Sequence, residues 1–184
     1  MKTIMRNLLK EITEKDYWCY GVNESDFDYT FDLVEKFLSL SKREVEREAE
    51  EAKRKYPNPE IHGEIISDVA HYAWCEEQYL WQFCLWRIQG IFEALIMNTF
   101  ISEELKRSLI GLRAKLEAVK NSGLRLEQKH YEELLSWGKV RNALSHAPPE
   151  QYRPGPLKKS DIQEYISLVK LVCAHWREQI SMEG

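Results

Sequence analysis

The chain has 184 residues, of which 43% are hydrophobic and 30% charged, and its formal net charge is −4 at pH 7. These proportions predict one soluble globular domain with a sizeable core, and the acidic charge argues against a protein that coats nucleic acid by bulk attraction. No apolar run reaches the roughly 18 residues of a membrane span, and the first residues lack the apolar core of a secretory signal. We therefore expect a cytoplasmic protein without a membrane partner.

Two helices are predicted in residues 1–56. Residues 4–12 carry apolar side chains at helical spacing, which indicates a short amphipathic helix. After a break at residues 21–25, Phe27, Phe31, Val34 and Leu38 follow at intervals of three or four, and the mixed charges of residues 42–48 indicate a solvated face. The prolines of residues 57–59 end this helix.

The third segment is the most apolar. From Glu60 to about Ile101 there is no proline, and the pattern predicts one long helix or two helices joined near Gly90. Aromatic and aliphatic residues occupy more than one face of it, including Trp74, Trp81 and Trp86. Such a helix must be surrounded, either in the centre of a bundle or against a second subunit. The tryptophan spacing is typical of a core or a dimer interface.

Three further helices complete the prediction. One spans about Glu103 to Lys120 and closes at the helix-stop signal of residues 121–123, and the next spans Glu127 to about Ser145. A capping box at residues 160–163 starts the last helix, which presents one apolar stripe: Ile162, Ile166, Val169, Cys173, Trp176 and Ile180. The expected fold is a single all-α domain over residues 1–184, a bundle of five to six helices. Residues 60–184 form its main part, and residues 1–56 could be an elaboration.

The segment from Arg141 to His146 combines a permanent cation, an amide (Asn142) and a titratable imidazole, and it runs into Pro148 and Pro149. A guanidinium can hold a phosphate, and an imidazole can move protons near neutral pH, so these groups suit metal-free cleavage of a phosphodiester. Because a proline disfavours helical geometry in the residue before it, the helix should end near Ser145 or His146. Five basic residues against one acidic residue lie between Lys139 and Lys159, in an otherwise acidic chain.

The spacing has a geometric consequence. Asn142 and His146 share a helix face, so the amide could orient the imidazole, whereas Arg141 lies about 140° away from His146 on an ideal helix. The two can meet on one phosphate if the helix end is distorted, if the arginine reaches round, or if a second subunit contributes. The interval alone is weak evidence, because Arg125 and His130 repeat it without the asparagine and without a following proline loop.

With these residues the chain resembles the HEPN superfamily, small all-α domains that often act as RNases. Their signature is an arginine, a polar residue (often asparagine), three further residues and a histidine, which Arg141, Asn142 and His146 match. The resemblance covers the chain from about Glu60 onward and implies a homodimer with both motifs facing a shared cleft. In one branch a tyrosine follows two residues after the histidine. Pro148 stands there in this chain, which puts that branch's control by tyrosine adenylylation in doubt.

The resemblance implies an endoribonuclease that needs no metal or other cofactor and acts on RNA in a toxin, defence or RNA-processing role, with an antitoxin or regulatory protein as a further partner. The ribose 2′-OH would attack, His146 would be the general base, Arg141 would stabilise the phosphoryl oxygens and Asn142 would position the imidazole. Tyr152 and Arg153 could add stacking or phosphate contacts. Glu93 could orient Arg141 or tune His146; otherwise it is an exposed glutamate on a polar stripe.

Two alternatives remain open. The first is a non-catalytic helical module that binds nucleotide or RNA, or a dimeric interaction partner, in which the motif is a retained phosphate clamp. The second is a metal enzyme, for which His71 and Cys75 share a helix face but lack two clean ligand pairs. Core packing of those two residues is the favoured interpretation. The four cysteines form no CxxC pair and are expected to be small buried apolar residues.

Overall fold

The structure is a computed structural model that describes residues 22–106, 109–146 and 155–183. Within these ranges every regular element is helical, which confirms the all-α prediction. The elements are α1 (Ser25–Lys55), α2 (Pro59–Leu95), a π-helix (Ile96–Phe100), α3 (Glu103–Lys106), α4 (Gly111–Asn121), α5 (Gln128–His146) and α6 (Lys159–Glu183). The helix predicted in residues 4–12 lies outside the described residues.

Helices α1 and α2 form a hairpin because only residues 56–58 separate them. The side chain of Asn58 accepts a hydrogen bond from the backbone N–H of Glu60 at 3.0 Å, and Pro59 occupies the first turn, so the start of α2 is well capped. Helix α2 has 37 residues and is about 55 Å long. Gly90 does not interrupt this helix. Of the two predicted alternatives, one long helix is therefore confirmed, and two helices joined near Gly90 are not observed.

The core lies around the second half of α2. Trp81, Leu85, Ile88 and Phe92 are fully buried there, and the ring of Phe92 stacks on Trp176 of α6 with centroids 6.3 Å apart. Helices α4, α5 and α6 complete this core, and α1 covers it with its first half. The described helices therefore surround the second half of α2 on all but one face, which confirms the prediction in part.

The face of α2 that the core does not cover keeps an exposed aromatic stripe. Its four side chains are Tyr72, Tyr79, Phe83 and Trp86, with exposed fractions of 68%, 71%, 50% and 39%. On an ideal helix they lie within an arc of about 60°. In a single chain, therefore, α2 is only partly surrounded. We name these four residues the aromatic stripe.

The single helix predicted from Glu103 to Lys120 is wrong, because α4 begins only at Gly111. Ile110 has an extended backbone, and Gly111 has φ +81°, a left-handed conformation that glycine adopts readily. The predicted closure at residues 121–123 is confirmed, and Gly123 ends the turn with φ +99°.

The last helix also starts differently from the predicted capping box. Helix α6 begins at Lys159, and the carboxylate of Asp161 accepts the backbone N–H of Lys158 at 2.8 Å. Asp161 therefore reaches back to the helix start, which places Ser160 inside the first turn instead of at the cap. The apolar stripe is buried as predicted except for Ile180, which is 44% exposed in the last turns of α6.

Two of the cysteines, Cys84 and Cys173, are buried as predicted, Cys75 is partly buried, and Cys19 lies outside the described residues. Burial raises the pKa of both the Cys84 and the Cys173 thiol to about 12. Across the three described ranges, no helix has both the length and the apolar character that a membrane crossing requires.

Candidate functional site: a cationic cleft beside the motif helix

Helix α5 carries the motif in its last two turns. The Nη1 of Arg141 donates a hydrogen bond to Oδ1 of Asn142 at 3.0 Å. The hydroxyl of Ser145 donates a hydrogen bond to the backbone carbonyl of Arg141, one turn earlier in the helix, at 2.9 Å. The guanidinium of Arg141 is therefore drawn round the helix toward Asn142 and the face that the asparagine shares with His146.

Arg141 and Asn142 line a cleft of about 480 Å³ between α2, α4 and α5. We call it the motif cleft. Gly138 lets α5 approach α4 here, because a Cβ at this position would lie 3.3 Å from the side chain of Leu112. The polar side chains that line the cleft are Gln89, Glu93, Arg113, Lys139, Arg141 and Asn142.

The charges around the motif cleft are unbalanced. Glu93 is the one carboxylate among the described lining residues, and it is already bound: Nζ of Lys115 lies 2.5 Å from its Oε2, and Nε2 of Gln89 donates to its Oε1 at 2.8 Å. The three lining cations, Arg113, Lys139 and Arg141, have no ion pair with any described residue. The cleft therefore presents an excess of positive charge to its ligand.

Three buried polar atoms near the motif cleft lack a hydrogen-bond partner among the described residues. They are Oε1 of Gln89, Nε of Arg141 and the hydroxyl of Tyr165 on α6. Burial raises the pKa of Tyr165, the nearby carboxylate of Glu93 raises it further, and Arg141 lowers it. Most buried polar groups are paired, so a group of unpaired atoms in one place is typical of a site that takes a ligand or ordered water.

The sequence-predicted site residues are brought together only in part. Arg141, Asn142 and Glu93 line the same cleft, and the Glu93 side chain is 18% exposed, so it is not an exposed glutamate on a polar stripe. Its direct partners are Lys115 and Gln89 instead of Arg141. His146 is the last residue of α5, but the position of its imidazole lies outside the described residues.

Tyr152 and Arg153 also lie outside the described residues. The basic segment of the sequence is not gathered at one place, because Lys159 pairs with Glu35 of α1, whereas Lys139 lines the motif cleft. Sequence reasoning did not single out Arg113 as a site residue. No local signal marks it, since α4 has no motif and only packing brings it to Arg141.

Arg125 and His130, which repeat the interval between Arg141 and His146, lie elsewhere in the structure. Nδ1 of His130 is 3.8 Å from Oε2 of Glu127, and the backbone N–H of Arg125 is bound by the side chain of Gln179. Neither residue lines the motif cleft. This pair therefore provides a control for the motif within the same chain.

The metal alternative receives no support from the described residues. The Sγ of Cys75 lies 3.8 Å from Nε2 of His71, but no group of three or more histidine, cysteine or acidic side chains in these ranges could hold a metal ion. The favoured prediction that both residues pack in the core is also wrong, because His71 is exposed and Cys75 only partly buried. They lie on the first half of α2, which the core does not cover.

Comparison with protein-family models, with curated proteins and with solved structures finds no match to this chain. The resemblance to the HEPN superfamily stays a prediction from the sequence, based on Arg141, Asn142 and His146. The class of protein that fold and site define is an all-helical protein with a cationic cleft beside the end of one helix.

Proposed function

We propose that this protein is a metal-independent endoribonuclease of HEPN-like architecture. The observation that carries the proposal is the position of Arg141 and Asn142, side by side in a cleft whose cations have no carboxylate partner in the described residues, on the helix that ends at His146. A phosphodiester of an RNA strand is an anion that such a cleft suits, because guanidinium groups bind phosphate oxygens through two parallel hydrogen bonds.

In the proposed reaction the 2′-OH of a ribose attacks the adjacent phosphorus. Its proton passes to His146 as the O2′–P bond forms, and the P–O5′ bond breaks to leave a 2′,3′-cyclic phosphate and a 5′-hydroxyl. Arg141 stabilises the charge that develops on the non-bridging oxygens. The Oδ1 of Asn142 accepts from Arg141 and has a second lone pair, which could accept the imidazole N–H and leave the other ring nitrogen free as the base.

The leaving 5′-oxygen also needs a proton, and we propose a homodimer in which the second copy supplies an acid, the His146 of that copy. Support for a second copy comes from the aromatic stripe, whose exposed side chains extend over about 20 Å of α2. Contiguous exposed aromatic surface is typical of an interface. The same stripe can face its copy across a two-fold axis.

Supporting roles are proposed for Glu93, Tyr152 and Arg153, the first as a positioning residue held by Lys115 and Gln89. A nuclease of this kind acts in a toxin, defence or RNA-processing role and is restrained by an antitoxin or another regulatory protein. No membrane partner is proposed.

The test is incubation of the protein with mixed RNA in EDTA, beside His146→Ala and Arg141→Ala. Each variant should lose on the order of 10²- to 10⁴-fold in rate, and the products should end in cyclic phosphates. The matched controls are His130→Ala and Arg125→Ala, which repeat the same interval outside the motif cleft and should cleave normally.

Two results would contradict the proposal. Cleavage that EDTA abolishes would exclude the metal-free mechanism, and cleavage retained in both motif variants would exclude the motif. RNA binding without cleavage would favour the non-catalytic module instead.

For the dimer, light scattering should give twice the chain mass of 21.8 kDa, and Tyr79→Glu with Phe83→Glu should give the monomer mass.

A further inference from the structure

The N-terminus of α4 opens into the motif cleft. Ile110, Gly111, Leu112 and Arg113 all line it, and the residue before the helix, Ile110, makes no side-chain hydrogen bond to cap the first turn. The first N–H groups of a helix have no partner within the helix and carry partial positive charge, which favours an anion. Gly111 has no side chain to block the approach, and nothing lies within 4 Å of its Cβ position.

Cations reach the same place from two helices. Arg113 belongs to α4, while Lys139 and Arg141 belong to α5. Among the described residues none of the three has an ion-pair partner, although the chain as a whole has a net charge of −4. Because Lys115 already neutralises Glu93, the positive charge of the cleft is free to act on an anionic ligand.

A buried acceptor adds a second, independent observation. Gln89 is only 3% exposed and lines the motif cleft, yet its Oε1 has no donor among the described residues. Its Nε2 is already used by Glu93. A ligand for this cleft should therefore bring a hydroxyl or N–H donor as well as anionic oxygens. A ribose that carries a phosphate has both.

We propose that the motif cleft binds the nucleotide next to the scissile bond, with its phosphate on Arg113, Lys139 and the N-terminus of α4 and a ribose hydroxyl on Gln89. This inference rests on the proposed nuclease function and adds residues that the motif does not contain. The volume of about 480 Å³ falls within the range of small-ligand sites. Arg141 then lies between this flanking phosphate and the scissile phosphate near His146.

The test measures binding of a fluorescent single-stranded RNA of about 10 nucleotides to the full-length His146→Ala protein, which keeps the strand intact. Kd is measured by anisotropy over a range of salt concentrations. Adding Arg113→Gln and Lys139→Gln should weaken binding roughly tenfold or more. It should also reduce the slope of log K against log salt by about 0.7, the value expected for one lost phosphate contact on a single strand.

The matched control removes one lysine and one arginine elsewhere. Lys53→Gln with Arg54→Gln changes the net charge by the same amount as Arg113→Gln with Lys139→Gln. Both residues are exposed near the end of α1, about 45 Å along α2 from Gln89. This control should leave both Kd and slope nearly unchanged. Circular dichroism of each variant confirms that the helices are retained.

The cleavage assay adds a second measurement in the protein with His146 intact. The Arg113→Gln, Lys139→Gln variant should raise KM and leave kcat unchanged, because its residues hold a phosphate that does not react. The wild-type protein should cleave RNA faster than a strand with one 2′-deoxy nucleotide at the flanking position, where the attacking 2′-OH is kept, and Gln89→Met should remove that difference.

The two proposals fail in different ways. If the wild-type protein cleaves RNA through His146 while the Arg113, Lys139 variant matches its control in Kd and slope, the flanking-nucleotide site is wrong and the nuclease stands. If the wild-type protein neither binds nor cleaves RNA, both are wrong.

Discussion

Replacing Glu93 by glutamine tests how the ion pair beneath the motif cleft contributes to stability. Glu93 and Lys115 join α2 to α4, with Oε2 and Nζ 2.5 Å apart and side-chain exposures of 18% and 15%. Glutamine has almost the same shape but no charge, and its single oxygen cannot serve both Lys115 and Gln89. The substitution therefore leaves a largely buried ammonium without its counter-charge.

The magnitude follows from the partial burial. Breaking a fully buried pair costs about 3–5 kcal/mol, and an exposed pair is worth about 0–1 kcal/mol. Because both side chains of this pair retain some contact with water, we expect Glu93→Gln to lower the free energy of unfolding by about 2 kcal/mol. For a chain of this length that corresponds to a decrease in Tm of about 4–8 °C.

The assay is thermal and urea unfolding followed by circular dichroism. The control is Asp28→Asn, which breaks an ion pair with Lys170 at a similar distance of 2.6 Å but with exposures of 59% and 37%. It should cost less than about 1 kcal/mol. Adding Lys115→Met to Glu93→Gln should recover part of the loss, since no unpaired charge then remains. Equal losses for Glu93→Gln and Asp28→Asn would refute the reasoning.

Two further predictions concern the thiols and the glycines. Because burial raises the pKa of Cys84 and Cys173 from 9.0 to about 12, both should resist alkylation at pH 8 while Cys75 reacts, as peptide mass spectrometry would show. The two thiols stabilise the folded state fully below about pH 9, because the unfolded chain ionises its thiols near that pH and the folded chain does not. The free energy of unfolding should therefore fall as the pH rises from 9 toward 12. A rise in the free energy of unfolding over that interval would contradict the prediction. Gly90→Ala should stabilise the protein by about 0.8 kcal/mol, because Gly90 is in mid-helix with open space at its Cβ. The same change at Gly138, where a Cβ would lie 3.3 Å from a leucine of α4, should gain less or destabilise, and equal gains in urea unfolding would show that the close approach is not real.

Local sequence patterns predicted most of the helices because their causes are local. The prolines near residue 57 end α1, and the asparagine and glycine near residue 122 end α4, each through backbone conformations that the neighbouring residues impose. The predicted helix from Glu103 was wrong for a related reason. Gly111 can adopt either a helical or a left-handed conformation, and the periodic residues around it do not reveal which one the chain takes.

The pattern of apolar residues in the sequence was less informative about which side chains are buried. Trp81 and Trp86 lie on the same helix and are equally apolar, but Trp81 is 1% exposed and Trp86 is 39% exposed. Their difference depends on which face of α2 meets α1, α5 and α6. An apolar residue favours burial without specifying its partner.

By itself the sequence determined the all-helical class, the approximate helix ends and the residues of the motif, because helical periodicity, prolines and side-chain chemistry act within a few residues. Only the tertiary structure decided what surrounds Arg141. Its packing places Arg113 of α4 and Gln89 of α2 in the same cleft as Lys139 and Asn142, and pairs Glu93 with Lys115 instead of with the motif. These neighbours come from separate helices, and their proximity depends on how whole helix faces pack, which no local spacing encodes.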